Sequence, residues 1–159
     1  MPRQYASVII PFNAFARVLS TDDQIGALKA CREHLLPGGR LTFDVFSATV
    51  EMLATPATEP VLELETVQPR TGLKLRLYDG RRLDAGTQTQ HSQITIEELD
   101  EQEQVAHTHR FVTVVRWTWP SEMDLLLRLA GFERREIAGG FDGRPVAQHQ
   151  GSLVVSAWR

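Results

Sequence analysis

The chain has 159 residues and a net charge of −3, with 42% hydrophobic and 23% charged side chains, enough for one ordinary globular domain. Without a basic excess to neutralise phosphates, it is not expected to bind nucleic acid. No apolar run approaches the ~20 residues that cross a bilayer, no charged-then-apolar signal opens the chain, and the single Cys31 cannot form an internal disulfide, so no membrane partner and a cytoplasmic location are expected.

Tyr5 to Ile10 is a short β-branched apolar run closed by Pro11. Brevity and branching favour a strand over a buried helix. A short helix is expected from Phe12 to Leu19. Ser20-Thr21-Asp22-Asp23-Gln24 then opens a longer one, with Thr21 as cap and Gln24 completing a capping box. The two aspartates suit the positive end of the helix dipole. Ile25, Leu28, Cys31 or Arg32, and Leu35 trace one face of that helix. It is expected to stop at Leu36, because Pro37 and Gly38 forbid its continuation. Leu41 to Val45 is the next strand. Such short turns on either side of a helix imply parallel strands joined by a right-handed crossover.

The middle of the chain changes character. A helix from Ser47 to Ala54 gives way at Pro56 and Pro60 to alternating sequence, Val61 to Glu65 and Leu73 to Leu77, with Pro69 and Gly72 between. Thr87 to Leu99 and Val105 to Trp119 are two further extended stretches, joined by the acidic turn Asp100-Glu101-Gln102-Glu103. These predict an antiparallel sheet of about four strands with one wet face. Residues 61–119 read as an insertion within a single domain spanning 1–159. From Pro120 the helical spacing returns in Met123, Leu126, Leu127 and Ala130, and Gly131-Phe132 is a helix stop with its apolar contact. A strand over Glu133 to Ala138, a loop from Gly139 to Pro145 and a last strand over Ser152 to Ala157 complete the chain.

Val8-Ile9-Ile10-Pro11-Phe12-Asn13, the Leu36-Pro37-Gly38-Gly39 turn, the proline-started helix at Pro120 and Ala130-Gly131-Phe132 occur in an order that resembles the class I S-adenosylmethionine-dependent methyltransferases. Ala6-Ser7 departs from the pattern, since a Tyr/Phe-Asp pair is usual there. The resemblance implies an α/β fold: a partial Rossmann-like methyltransferase sheet made of its last four strands, carrying the inserted antiparallel sheet. It implies S-adenosylmethionine as cofactor of the intact fold and a small-molecule methyl acceptor. Pro11, Phe12 and Asn13 match the family's fourth motif and would border the reactive methyl, at the carboxyl end of a strand where α/β sheets place their ligands.

No residue is assigned a catalytic role, although His107 or His109 could accept a proton from an amine or hydroxyl acceptor. Methyl transfer from a sulfonium asks mainly for alignment and desolvation. Tyr78, His107, His109, Arg116 and Trp117 are candidates for the acceptor cavity. His107 and His109 lie two apart on one face of a strand, and no third ligand follows at zinc spacing. Cross-strand packing is the competing role for the tyrosine, the arginine and the tryptophan.

The family's glycine-rich first turn is not found, since no Gly-x-Gly-x-x-Gly follows a strand. The resemblance therefore implies the C-terminal portion of a methyltransferase, truncated and weak or inactive alone. Strand 7–10 would then be an unprotected apolar edge, and homo-oligomers through it or through the β insertion are expected. The alternative is a non-catalytic dimerisation or ligand-binding module. A nucleotide-dependent dehydrogenase fits poorly, because the Pro-Gly-Gly turn and the antiparallel insertion do not suit it.

Overall fold

A computed structural model describes residues 3–54 and 59–159; the break expected at Pro56 lies outside them. The chain divides into two compact units, residues 1–53 with 115–159, and residues 54–114.

The first unit is a four-stranded sheet with helices. Strand β1 is Tyr5–Ile10, helix α1 Thr21–Glu33, strand β2 Leu35–Phe46, and helix α2 the single turn Val50–Ala54. The short helix expected over Phe12 to Leu19 is a 3-10 turn, Ala14–Arg17. After the insertion come helix α3, Pro120–Leu129, and two strands, Arg134–Ala138 and Ser152–Trp158. The second unit holds four strands: β3 Val61–Val67, β4 Lys74–Asp84, β5 Thr89–Leu99 and β6 Val105–Arg116, whose last residues enter the first unit. The two C-terminal strands are therefore β7 and β8.

In the first unit the strand order is β1-β2-β8-β7. β1 and β2 run parallel, with Ile9 opposite Thr42 and Ile10 opposite Phe43. β8 runs antiparallel to both β2 and β7. Alternation along the strands gives this sheet two different faces. Leu41, Phe43, Val45, Leu153, Val155 and Ala157 point into a core shared with Leu28 of α1 and Met123, Leu126 and Leu127 of α3. Each fully buried Val, Leu, Phe or Met among them contributes about 1.5–3 kcal/mol. Ile9, Thr42, Asp44 and Val154 point to the opposite face, where Ile9 remains 67% exposed.

Three sequence readings need correction. Ser20, not Thr21, caps α1, its side chain accepting from the Asp23 N–H at 3.1 Å. Moving the cap back one residue leaves both aspartates in the first turn. The helix also ends earlier, at Glu33, with His34 as its cap. Leu35 already belongs to β2 and pairs with Tyr5, and the register then jumps so that Ser7 faces Arg40. Pro37-Gly38-Gly39 thus forms a bulge within the strand rather than the helix stop. Gly38 donates to the Arg159 carbonyl, and Arg159 donates back to that of Gly39. Gly38 needs its freedom, having φ +76°. A Cβ on Gly39 would stand 2.9 Å from the Leu36 oxygen and 3.1 Å from that of Tyr5. The helix from Ser47 likewise starts later, at Val50.

The stop of α3 is as expected. Gly131 sits at φ +89°, its N–H donating to Arg128 and that of Phe132 to Leu127. That pair of bonds is a Schellman closure, and Phe132 is buried.

In the second unit the order is β3-β4-β5-β6. β4 and β5 pair without a register break from Lys74↔Leu99 to Asp84↔Thr89. Asp84 Oδ1 accepts from Gly86 and Thr87 in the connecting turn, and these bonds hold its carboxyl below the usual range. In the acidic turn, Asp100 Oδ1 accepts from the Gln102 and Gln104 N–H groups.

Candidate functional site

The carboxyl ends of the parallel strands β1 and β2 open into a cavity of about 280 Å³ on the sheet face away from the helices. Ile9, Pro11, Phe12, Asp44, Phe141 and Val154 are among its walls. Ile9, Thr42, Asp44 and Val154 reach it because they alternate with the core residues. Pro11 and Phe12 come from the corner after β1, and Phe141 from the loop between β7 and β8.

The corner is unusual in its backbone. Phe12 (φ +59°) and Asn13 (φ +53°) are consecutive non-glycine residues in the left-handed region. For a bulky side chain that conformation costs on the order of 1–2 kcal/mol. The Phe12 ring recovers none of this by burial, being 93% exposed, and Phe141 is 81% exposed across the same cavity. The Asn13 N–H donates to Asp44 Oδ2 at 2.9 Å, tying the corner to β2. The walls are otherwise apolar, so the cavity suits a ligand with apolar surface and, between ring faces and a carboxylate, positive charge.

A second, shallower hollow of about 380 Å³ adjoins Phe141 and includes Gly139, Asp142, Arg144 and Gln150. Arg144 Nε sits 2.9 and 3.0 Å from the two Asp142 carboxylate oxygens. Their pairing lowers the Asp142 carboxyl and leaves little net charge for a ligand.

The other sequence-predicted residues lie elsewhere. Arg116 and Trp117 are buried in the first unit. Arg116 donates to Gln24 Oε1 at 2.7 Å and pairs with Glu122, and Trp117 packs edge-on against Phe46. Both are committed to the interior. Tyr78 is half-buried on β4 opposite Thr95. His107 and His109 are exposed on β6, with His109 Nε2 3.4 Å from Glu98. Glu98 is the register partner of Leu75, three positions from Tyr78 and so on the other face. The histidines and the tyrosine are therefore not brought together. Among the described residues, no three His, Cys, Asp or Glu side chains are placed to hold a metal ion.

Asp44 and Phe141 were missed in the sequence. Alternation in Leu41 to Phe46 carries the signal for Asp44, a charged residue on the face opposite three core positions. Phe141 carries none, because only the fold brings its loop to the end of β1.

Neither a family model nor a curated protein sequence matches the chain, but solved structures match its shape. An S-adenosylmethionine-dependent methyltransferase from Clostridium acetobutylicum has a TM-score of 0.77 at 11% identity, covering 99% of this chain and 59% of the other. The CcbJ methyltransferase of Streptomyces caelestis has a TM-score of 0.72 at 22% identity, covering 98% and 61%. An amino pentose methyltransferase from Micromonospora echinaspora, solved with S-adenosylmethionine bound, has 0.70 at 17%, covering 98% and 59%. The chain has the fold of S-adenosylmethionine-dependent methyltransferases. It spans about three-fifths of the length of these structures. Among its described residues, no helix is long and apolar enough to cross a membrane.

Proposed function

We propose that this chain supplies the C-terminal portion of an S-adenosylmethionine-dependent methyltransferase acting on a small molecule, with Pro11, Phe12 and Asn13 bordering the methyl donor. The observation that carries the reading is the apolar cavity at the carboxyl ends of β1 and β2, in a chain with that fold. Its residues suit the methyl end of the donor, where a sulfonium carries an apolar methyl group near an aromatic face. The donor, when bound, supplies an activated methyl group, and the protein's share is to align the acceptor and keep water away. The sequence offers no glycine-rich turn after a strand for the remainder of the donor. Binding by this chain alone is accordingly weak. Because one structural match is an amino pentose methyltransferase, an amino sugar is the first acceptor to assay. Tyr78, or His107 with His109 from the opposite sheet face, are proposed acceptor contacts.

Titration with S-adenosylmethionine followed by amide NMR tests the reading. Shifts are expected at millimolar ligand and centred on Ile9 to Asn13, Asp44 and Phe141. Shifts centred elsewhere would remove these residues from the site, and micromolar affinity by calorimetry would overturn weak binding by the chain alone.

A second reading, a module that works by self-association, is favoured by one observation. β1 is the edge of its sheet and exposes Tyr5 and Ile9, while β3 and β6 of the other unit expose Leu62, Leu64, Phe111 and Val112. Apolar edges of this kind invite pairing. Sedimentation at tens of micromolar decides it: a clean monomer counts against self-association through either sheet.

A further inference from the structure

We propose that Asp44 is the positioning residue of the Pro11–Asn13 corner: its carboxylate holds Phe12 and Asn13 in left-handed backbone and so keeps the Phe12 ring over the cavity. The consequence for ligand binding rests on the function proposed above; the positioning itself does not.

Three observations converge. Asn13 tolerates positive φ, but the bulky Phe12 beside it does not hold that conformation by local preference. Strain of this sort persists where the surroundings over-determine it, and it concentrates at ligand sites. The usual compensation, burial of the strained side chain, is absent here, because the Phe12 ring is almost fully exposed. Something other than packing of Phe12 fixes the corner.

The fixing group is identifiable from the bonds the corner makes. The Ala14 N–H returns to the Pro11 carbonyl at 3.3 Å, a long bond, and the Ala16 N–H goes to that of Asn13 at 3.0 Å. The first is local to the corner; the second leads to Ala16, which is buried in the core beside Phe15 and anchors the following 3-10 turn rather than the Phe12 backbone. The Asn13 N–H bond to Asp44 Oδ2, 2.9 Å across 31 residues of sequence, ties the corner to the sheet. An ionised acceptor makes that bond stronger than a neutral one. Asp44 can serve because β2 places it beside Thr42 on the open face, level with Val154. It therefore touches the cavity and holds one of its walls in the same geometry.

The experiment compares the full chain with Asp44→Ala and Asp44→Asn. Asparagine keeps an acceptor oxygen at the same reach, and alanine has none. In Asp44→Ala, exchange of the Asn13 amide hydrogen is expected to speed up at least tenfold, and the Phe12 and Asn13 resonances to move towards ordinary loop positions. The amides of Ile9 and Ile10 are expected to stay within about twofold, since the ladder of β1 with β2 and the packing of Val8 and Ile10 on the core do not pass through the Asp44 side chain. Asp44→Asn is expected to recover most of the Asn13 protection. An Asn13 amide that exchanges equally in all three proteins overturns the proposal. So does loss of protection throughout β1 in Asp44→Ala, because that would make the residue a general support of the sheet.

Affinity for S-adenosylmethionine, read in the same samples, is expected to rank wild type, then Asp44→Asn, then Asp44→Ala. If the wild type shows no binding, the proposed function fails while the exchange data still decide the role of Asp44. If binding occurs and is equal in all three, the corner is held by Asp44 without consequence for the ligand, and the link to the cavity is overturned.

Discussion

The two units are stabilised by different means. In the first, β8 alternates buried and half-buried residues along its whole length, and its inward side chains join two helices in one core. In the second, every residue of β3 is exposed, and of the residues assigned to that unit only Asp79, Ser92 and Leu99 are buried among those described. What organises it is the long β4–β5 ladder, hydrogen-bonded turns, and ion pairs such as Arg76–Glu65, Lys74–Glu103 and Arg81 between Asp79 and Glu63. The difference teaches where substitutions should matter. A sheet with a packed face resists the loss of a side chain poorly, and an exposed one barely registers it.

The largest expected effect tests that contrast directly. Phe43→Ala removes a ring from the core of the first unit, tilted against Phe15 with 5.0 Å between ring centroids, and should cost about 3–5 kcal/mol by urea unfolding. Leu64→Ala, at a site 52% exposed on β3, should stay within about 0.5 kcal/mol. A large loss at Leu64 would break the comparison, since it would mean that this face is covered in solution. Next in size is Gly39→Ala, expected to cost about 1–3 kcal/mol, because the new Cβ meets backbone oxygens that side-chain motion cannot clear. A neutral result would show that the bulge can open.

A smaller effect is confined to acid. Arg135 holds the Asp124 carboxyl below its usual range, with Arg128 assisting. A carboxyl lowered in the folded state adds stability above its unfolded pKa of about 3.9, and that stability fades as pH falls through the lower folded value. Asp124→Asn should therefore melt lower than wild type at pH 7 and converge with it as pH falls through the lowered folded value. A constant gap down to pH 2 would place the effect in packing between α3 and β7.

Much of this was legible in the sequence, for physical reasons that vary by element. The helix from Pro120 and its stop at Gly131 were clear because Pro, helical spacing and a left-handed glycine all agree. The end of α1 was not, since Leu35 fits the helical face at Ile25 and Leu28 as well as it fits a strand. Only its pairing with Tyr5, a tertiary contact, assigns it to β2. The same limit applies to the cavity. Pro11 to Asn13 could be singled out as a strand end, but Asp44 and Phe141 join them through strand register and a distant loop. Arg116 and Trp117 look like pocket residues from their chemistry alone. Their partners Gln24, Glu122 and Phe46, two of them distant in sequence, take them inward.

The smallest expected effect sharpens the comparison from the side of the second unit. Glu65 lies opposite Arg76 and within 3.1 Å of Lys74, and these contacts lower its carboxyl, Arg76 contributing most. All three side chains keep contact with water, at 29–39% exposure, where attraction is weak and ordering long side chains offsets part of it. Arg76→Ala should therefore shift the melting temperature only slightly at low salt. The shift should vanish near 1 M salt, where screening acts within about 3 Å. If the second unit truly lacks a dry face, the loss must be erased by salt, because the half-buried Arg76 side chain would then contribute through its ion pair alone. A deficit that survives high salt would mean that its aliphatic stem packs against apolar surface, and the contrast between the two units would have to be drawn less sharply.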